Sequence, residues 1–406
     1  MQTEALPNGS QACGVYMAFS VFRHVRVTGV SMVVPAETIR LRDEAGYYGN
    51  DPRRIARIAR MAGFDQRRIA PEGITASDLC VQAAQRLLEE SGTDKHSIDA
   101  LVFVTQTPDY PAPASAFLQQ DALGLPKTCA CFDVNLGCAG YVYGLWLSGC
   151  MLESRACSRV LLLAGDGAFR HLPQDNRVLA PVFGDAGSAT LLEYAADAPA
   201  LSFSIGSDGG GHEHLIRPGG GARIPHLPGS EAAYNEIVRD KDGMPWSVGG
   251  FGNIGNTWMD GMAVFNFTMD VVPPHITDHM ARLGLSPADV EYLVLHQANK
   301  QIIQHIAESC GFPPEKAPWE TFSKYGNQSV ASIPGVLCDQ LRAACDAGSP
   351  LRLLLCGYGI GLTWASCFGD FTGLRCLGIR DFLPPPRVAG HAERIASWHE
   401  KFRGNA

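Results

Sequence analysis

The feature that most constrains the fold of this 406-residue chain is an internal duplication. When the sequence is compared with itself at a shift of 192 residues, Leu161-Leu-Leu163 falls on Leu353-Leu-Leu355. The register holds over roughly 70 residues, in which apolar, strand-like runs are separated by helical segments. We therefore predict an α/β protein with largely buried sheets, built from two like halves at 1–198 and 199–406.

Composition narrows the range of functions. The chain is 46% hydrophobic and 18% charged, which is typical of a globular protein with a large core. Because no apolar run reaches the ~18 residues of a membrane span and the N-terminus lacks a signal-peptide pattern, the sequence predicts a cytoplasmic protein with no membrane partner. A net charge of -8 argues against nucleic acid as a partner.

The cysteines indicate reduced thiols. There are thirteen, an odd number, and most lie in apolar segments. The pair Cys129 and Cys131, and the pair His212 and His214, each suggest metal, but neither pair is completed to a set of four ligands. We therefore predict no metal site and no other cofactor.

The first half contains a candidate nucleophile, Cys138. The residues before it read as the end of a buried strand and a tight turn, and the residues from Cys138 to about Leu152 as an apolar helix. The unsatisfied N–H groups and the dipole of a helix start favour a thiolate there. The alternative is that Cys138 is a small core residue, as free cysteines often are.

The second half has different chemistry at the corresponding places. Cys138 falls on Val330 under the shift, whereas His296 ends a buried strand and Asn327 lies in the turn before the second central helix. Each alone reads as a core histidine or a turn-forming asparagine. If the halves are related by a pseudo-twofold axis, however, Cys138, His296 and Asn327 meet at one place.

These residues lie in motifs that resemble the β-ketoacyl-acyl-carrier-protein synthase III family of the thiolase superfamily. The motifs are Asp133-Val-Asn-Leu-Gly-Cys138-Ala-Gly, Leu293-Val-Leu-His296-Gln-Ala-Asn299 and Tyr325-Gly-Asn327-Gln-Ser-Val-Ala-Ser332. The resemblance implies a thiolase-like, five-layer αβαβα fold and a homodimer. It leaves an insertion at about 223–256 and a C-terminal tail at about 372–406 without a family counterpart.

The resemblance also implies a reaction. The Cys138 thiolate would attack an acyl thioester, and malonyl carrier protein would lose carbon dioxide to give an enolate that attacks the acyl-cysteine. His296 and Asn327 suit the stabilisation of the enolate, and the backbone N–H groups of Cys138 and Ile360 suit an oxyanion hole. Two alternatives stay open. One is a non-condensing acyl transfer to an oxygen or nitrogen nucleophile. The other is a catalytically silent partner subunit, but the presence of all three residues argues against it.

The identity of the acyl donor depends on three basic residues. In the family a tryptophan and an arginine enclose the adenine of coenzyme A; Arg170 matches the arginine, but Arg57 stands at the tryptophan position. Lys300 stands beside the place of a further family basic residue. Arg57 belongs to a cluster from Arg53 to Arg68, on a predicted helix and turn, which is either a solvated face or a docking surface for acyl carrier protein. We expect acyl carrier protein to be preferred over coenzyme A.

Overall fold

The computed structural model describes residues 18–404 except 49, 173–179, 228 and 237–252. Within these limits the strands, numbered in chain order from β1 to β16, are Ala18–Phe22, Val25–Val34, Thr38–Arg40, Gln66–Arg68, Ala100–Val104, Ala130–Val134, Arg159–Asp166, Ala186–Tyr194, Leu201–Ser207, Leu215–Ile216, Trp258–Met259, Tyr292–Leu295, Arg352–Gly359, Thr363–Asp370, Arg375–Cys376 and Arg380–Asp381. The helices, α1 to α11, are Pro52–Ala62, Ala76–Ser91, Ser115–Leu123, Gly140–Glu153, Glu231–Tyr234, Gly261–Arg282, Lys300–Ser309, Glu320–Tyr325, Ser332–Asp339, Arg342–Asp346 and His391–Gly404.

Two sheets carry the fold. The larger has the strand order β15-β2-β8-β7-β5-β6, with β16 also paired to β2, and the smaller has the order β1-β9-β14-β13-β12. β5 is parallel to β6 and β7, and β12 is parallel to β13. The sequence shift relates β5 to β12 and β7 to β13. β5 and β7 are neighbours in the larger sheet, and β12 and β13 are neighbours in the smaller one, as the duplication predicts.

The helices complete five layers. α2 and α3 cover the outer face of the larger sheet, and α6 and α7 cover the outer face of the smaller one. α4 and α9 lie between the sheets and contact strands of both. The predicted αβαβα arrangement is confirmed.

Local sequence accounts for these elements. β5 reads Ala-Leu-Val-Phe-Val and is buried along its whole length, as expected of a strand covered by helices on both faces. α2 begins with a capping box between Thr75 and Asp78, and ends at Gly92, whose φ of 68° lies in the left-handed region that glycine tolerates. β5 and α2 thus follow ordinary propensity and capping rules.

Small residues bring the two halves together. Gly140 begins α4, and a Cβ atom placed on it would lie 2.7 Å from Val104 Cγ1 and 3.2 Å from Val330 Cγ2. Val330 belongs to the short turn that precedes α9. The absence of a side chain at Gly140 thus allows α4 to approach the turn before α9 closely.

Strands near each end of the described chain pair with a strand of the opposite half. β1 pairs with β9 of the second half, whereas β15 and β16 pair with β2 of the first. The tail at 372–406, which the sequence assigns to the second half, therefore packs against the first. The physical reason is that β2 would otherwise expose an open edge, which the tail strands cover.

The tail ends in α11, which is fastened to the loop before α2. The Arg394 guanidinium donates to the Gly73 carbonyl at 3.0 Å, and the backbone N–H of His391 donates to Glu72 at 2.8 Å. The insertion predicted at 223–256 lies partly outside the described residues. None of the helices in the described part of the chain is both long enough and apolar enough to span a bilayer.

We predict that Gly140→Ala destabilises the protein, because its added methyl group has no space between Val104 and Val330. The expected loss in the free energy of unfolding is about 1–3 kcal/mol. Gly46→Ala is the matched control, since a Cβ atom at Gly46 meets nothing within 4 Å. Denaturant titration of both variants measures the difference; equal stability would contradict the tight junction.

Candidate active site

Cys138 lies in the turn that joins β6 to α4. The turn is closed by a hydrogen bond of 2.6 Å from the Gly140 N–H to the Gly137 carbonyl. A side chain at Gly137 would collide with Gln106, whose Oε1 lies 2.3 Å from the position of an added Cβ. The Asn-Leu-Gly-Cys sequence therefore holds the thiol two residues before Gly140, the first residue of the central helix, with Ala139 as its N-cap.

A second glycine fixes the other side of the thiol. Gly359 ends β13 with a φ of 152°, and a Cβ atom there would lie 2.9 Å from both Cβ and Sγ of Cys138. The residue that follows, Ile360, presents its backbone to the sulfur. The glycine at 359 thus allows the loop after β13 to approach Cys138 closely.

Burial dominates the electrostatics of Cys138. Burial raises the pKa of its thiol to about 11, although the backbone N–H groups of Ile360 and Cys138 and the Ser329 hydroxyl lower it. The Asp166 carboxylate raises it further. The backbone N–H groups thus favour the anion, as the sequence predicts, but desolvation outweighs them, so the helix start alone does not make Cys138 a thiolate at neutral pH.

His296 directly follows β12. Its N–H donates to the Cys356 carbonyl at 2.9 Å, and its carbonyl accepts from the Tyr358 hydroxyl at 3.3 Å, so both backbone groups are fixed. His296 is 2% exposed, and its ring packs edge to face against the ring of Tyr358. Burial lowers the pKa of His296 to about 3, while a hydrogen bond to the Ser329 backbone acts in the opposite direction. The imidazole is therefore neutral at physiological pH.

The other polar residues of the His-Gln-Ala-Asn motif have structural roles. The buried Gln297 amide donates to the carbonyls of Leu295 and Pro318, and accepts from the Phe322 N–H. Asn299 caps α7 by accepting from the Ile302 N–H at 2.9 Å. The side chains of Gln297 and Asn299 thus hold the local backbone, whereas the His296 side chain makes none of these hydrogen bonds.

Asn327 is held by its backbone and by one side-chain oxygen. Its N–H donates to the Val182 carbonyl at 2.6 Å, and its carbonyl accepts from the Gly184 N–H at 3.0 Å. Its side-chain Oδ1 accepts from the Ser329 N–H at 2.9 Å. Since the oxygen is engaged, the NH₂ group of the amide is left to donate.

Two further residues belong to the site and were not predicted to. Ser329 has a φ of +49°. Its backbone N–H donates to the Asn327 side chain, its backbone raises the pKa of His296, and its hydroxyl lowers the pKa of Cys138. The sequence analysis treated it only as a small packing residue. Asp166 ends the parallel strand β7, and a polar residue in that position was the available signal.

A cavity of about 220 Å³ opens beside Cys138. Its larger apolar side chains are those of Leu172, Phe183, Leu215 and Ile360. Its polar lining comprises Gln106, Thr107, Asn135, Asp166, His171, Arg217, Thr257 and Ser329. Ile360 also faces Gly137, since its Cγ2 atom lies 2.8 Å from the position of a Cβ atom added to Gly137.

The candidate donor-binding residues are distributed over the surface near α1. Arg57 is exposed on α1, and Gly63 at the end of that helix lies against the Lys300 side chain at the start of α7. Lys300 Nζ also lies 4.3 Å from the centre of the Trp319 ring. The side chain of Arg170 lies outside the described residues, so its predicted role stays a prediction.

The arginine cluster divides into two parts. Arg53, Arg57 and Arg60 are exposed on α1, which supports a basic face. Arg67 and Arg68 lie on β4, where the sequence analysis expected a turn. Arg67 is fully buried in a two-pronged ion pair with Glu44, and Arg68 pairs with Asp381 at 2.8 Å. These two residues are structural and do not extend the basic face.

Comparison with known proteins gives consistent matches. The model of 3-oxoacyl-[acyl-carrier-protein] synthase III matches residues 132–209, and the model of its C-terminal part matches residues 280–370. A β-ketoacyl-[acyl-carrier-protein] synthase III from Rhodopirellula baltica is 31% identical over 361 residues, which cover 84% of this chain and 97% of the relative.

Solved structures agree with the sequence matches. A 3-oxoacyl-(acyl-carrier protein) synthase from Burkholderia xenovorans LB400 is 32% identical with a TM-score of 0.81, covering 90% of this chain and 99% of the other. The priming β-ketosynthase of the R1128 polyketide biosynthetic pathway is 25% identical with a TM-score of 0.70, covering 86% and 96%.

Proposed function

Because the chain belongs to the β-ketoacyl-acyl-carrier-protein synthase III family, we propose that it condenses an acyl group held on Cys138 with malonyl-acyl carrier protein. The reaction starts a fatty-acid or polyketide chain. The observation that supports the residue assignment is that all three residues interact with Ser329. The Ser329 hydroxyl lowers the pKa of Cys138, its backbone N–H donates to the Asn327 side chain, and its backbone raises the pKa of His296. One residue thereby ties the nucleophile to both candidate enolate-stabilising groups.

The first half-reaction forms the acyl-enzyme. The sulfur of Cys138 attacks the carbonyl carbon of the donor thioester, and the donor thiol leaves. Negative charge develops on the carbonyl oxygen during this step. The backbone N–H groups of Cys138 and Ile360 both lower the pKa of the Cys138 thiol, which supports their assignment as donors to the oxyanion that forms on the carbonyl oxygen next to the sulfur.

The second half-reaction forms the new carbon–carbon bond. The malonyl carboxylate leaves as carbon dioxide, and the electron pair of the broken bond forms the enolate of the remaining thioester. A neutral imidazole and an amide NH₂ are suitable donors to the enolate oxygen, because neither brings a charged group that burial would penalise. His296 is kept neutral by burial, and the Asn327 amide is oriented by Ser329.

A second candidate function is acyl transfer from Cys138 to an oxygen or nitrogen nucleophile. The polar lining of the cavity favours it, since side chains such as Asn135 and Thr257 could orient a polar acceptor. A catalytically silent partner subunit is less well supported, because all three reactive side chains are present.

We infer that acyl carrier protein delivers the acyl group. Coenzyme A recognition in the family uses an aromatic ring at the position of Arg57, and two guanidinium groups cannot form the same sandwich. The exposed arginines of α1, with Lys300 beside the end of that helix, offer instead a basic face for an acidic carrier.

We also infer that the protein is a homodimer. β6 is the last strand of the larger sheet on one side, and it leads directly to Cys138. An edge strand with half-buried apolar residues such as Phe132 is stabilised when another strand covers it. A twofold axis beside β6 would pair it with its own copy.

The dimer proposal predicts a mass of twice that of the chain. We expect light scattering at micromolar concentration to give this value, because an interface formed through a sheet edge should bury well over ~2,000 Å² and persist at that concentration. An active monomer would contradict the proposal.

The assignment of roles predicts that acylation and decarboxylation can be separated. His296→Ala and Asn327→Ala should still acquire the mass of an acyl group but should lose malonyl decarboxylation by roughly 100-fold or more. Intact-protein mass spectrometry measures acylation, and release of labelled carbon dioxide measures decarboxylation. Cys138→Ala is the control, which should show no acyl adduct.

Two results would count against the proposed roles. A full adduct on Cys138→Ala would remove Cys138 as the nucleophile. Undiminished decarboxylation in the His296 or Asn327 variant would favour the non-condensing transfer.

The donor proposal predicts faster acylation from acyl carrier protein than from coenzyme A bearing the same acyl group. Arg57→Glu should slow acylation by the carrier by roughly tenfold at low salt, because it reverses one charge of the docking face. Arg387→Glu is the control, since Arg387 is exposed on the tail, where it pairs with Glu393. Equal rates from both donors, without salt dependence, would show α1 to be an ordinary solvated helix.

A further inference from the structure

The apolar residues of α11 form a stripe that the rest of the described chain leaves uncovered. Ile395, Trp398 and Phe402 follow one another at spacings of three and four residues, so they lie along one face of the helix. Their exposed fractions are 57%, 44% and 66%. The ring centres of Trp398 and Phe402 are 5.8 Å apart, so the two rings form one continuous surface. We refer to these three residues as the α11 stripe.

The helix that carries the α11 stripe has no buried face within the described chain. Every residue from 391 to 403 is exposed. The helix is attached to the body at its first turn, where the His391 N–H donates to Glu72 and the Arg394 guanidinium donates to the Gly73 carbonyl. A helix of 14 residues is only marginally stable in water when no apolar face is packed. A binding partner that covers the α11 stripe would therefore stabilise the helix.

The charged residues of α11 are separated by sign around the stripe. Lys401 lies about a quarter of a turn from the centre of the stripe on one side, and Arg403 about a third of a turn on the other. Glu393 and Glu400 lie about half a turn away, on the opposite face. Lys401 Nζ is 4.6 Å from the centre of the Trp398 ring, so a positive charge lies at the edge of the stripe. A partner that covers the stripe meets positive charge at its edges, and the negative charges point away from it.

We propose that the α11 stripe binds the surface of a membrane that contains anionic lipids. The acyl chains of such a membrane accept the three apolar side chains, and the phosphate groups of its lipids lie at the level of the flanking cations. The amphipathic Trp398 ring suits the boundary between the two regions. The proposal does not depend on the acyl transfer proposed above. It concerns a segment beyond residue 370, where the match to the family model of the C-terminal part ends.

A second copy of the helix fits the α11 stripe less well. If two stripes packed against each other, the side chains that flank one stripe would face those that flank the other. Lys401 and Arg403 would then meet basic side chains, whereas Glu393 and Glu400 would lie too far away on the outer faces to pair with them. Like charges placed in this way destabilise a helix pair. The charge pattern therefore favours an anionic partner over self-association.

A fluid bilayer also fits the shape of the stripe better than a folded acidic protein does. The three large side chains stand on the convex surface of one helix, so a folded partner would need an apolar groove that matches them. A bilayer needs no preformed groove, because its lipids move aside. An acidic carrier protein on the α11 stripe is therefore the alternative that the experiment has to separate.

The binding should be reversible and sensitive to salt. The net charge of -8 opposes the approach of the whole chain to an anionic surface. The attraction of Lys401 and Arg403 acts only over about 10 Å at 0.1 M salt. The sequence-based expectation of no membrane partner rested on the lack of a spanning segment, and a helix that lies on the surface does not need one.

The test is flotation of the full-length protein with lipid vesicles. The vesicles contain phosphatidylglycerol and phosphatidylcholine in equal parts, or phosphatidylcholine alone, and each kind is used at low and at high salt. The protein should float with the mixed vesicles at low salt, and should bind roughly tenfold more weakly to neutral vesicles or at high salt. Absence of binding to the mixed vesicles at low salt would overturn the proposal.

A double variant tests the apolar part of the stripe. Trp398→Ala/Phe402→Ala should lower the affinity for the mixed vesicles by roughly 100-fold, because it removes two of the three side chains that enter the bilayer. Phe265→Ala is the matched control, since Phe265 is 45% exposed on α6, outside the tail, and should bind as the wild type does. Because all three side chains are exposed, the variants should stay folded, which thermal unfolding checks. Equal binding by the double variant and the wild type would contradict the proposed contact.

A pair of single variants tests the charged edges. Lys401→Ala should weaken binding to the mixed vesicles by about fivefold at low salt, because it removes one positive charge beside the stripe. Arg57→Ala removes the same charge from the exposed face of α1 and should bind as the wild type does. A loss of binding in Arg57→Ala without one in Lys401→Ala would place the lipid contact on α1 and would overturn the proposal.

Two further measurements identify the other possible occupants. If Trp398→Ala/Phe402→Ala lowered the mass measured by light scattering, the α11 stripe would be covered by a second copy of the chain. If the same variant lost binding of acyl carrier protein but kept binding of vesicles, the stripe would be a carrier site. Either result would overturn the proposal. Acylation of Cys138 in solution should be the same in the double variant and the wild type, so a failure of the proposed acyl transfer would be recognised separately.

Discussion

The site depends on how closely the two sheets approach through their central helices. α4 and α9 separate the sheets, and the absence of a side chain at Gly140 lets α4 meet Val104 and Val330. The strand ends that carry the reactive groups then reach one place: β6 and β7 from one sheet, β12 and β13 from the other. A wider separation would leave Cys138 and His296 in two unconnected half-sites.

Desolvation is the consequence of that close approach, and it acts on each group differently. It raises the pKa of Cys138 to about 11 and lowers the pKa of His296 to about 3. Both shifts favour the uncharged form, as low polarity requires. In the proposed reaction the site therefore starts with a neutral nucleophile and a neutral donor, so that charge develops only as bonds change.

The sequence predicted the architecture well because the duplication and the burial of its strands are repeated signals. β5 and β7 are continuous aliphatic runs, and the shift relates them to β12 and β13. The path of the tail was not predicted, because β15 and β16 contain two residues each and have no periodicity to read. Their position is set by the open edge of β2, which is a property of the folded sheet.

The net pKa of Cys138 could not be predicted from the sequence for a related reason. A helix start can be recognised in a sequence, and it does place N–H groups near Cys138, but the degree of burial is decided by residues far away, such as Gly359 and Ile360. Arg67 and Arg68 could not be separated from the exposed arginines of α1 either. Their partners, Glu44 and Asp381, are distant in sequence or belong to the tail.

The duplication also explains where the chemistry lies. Under the 192-residue shift Cys138 falls on Val330, and Asp166 falls on Tyr358. Tyr358 uses its hydroxyl to hold the His296 backbone, whereas Asp166 collects the Thr105 and Gln106 donors of its own half. Equivalent strand ends have thus diverged: one holds the His296 backbone, and the other carries a carboxyl group that lines the cavity beside Cys138. Because the two ends meet at the same junction, each half supplies what the other lacks, and neither half alone contains a complete site.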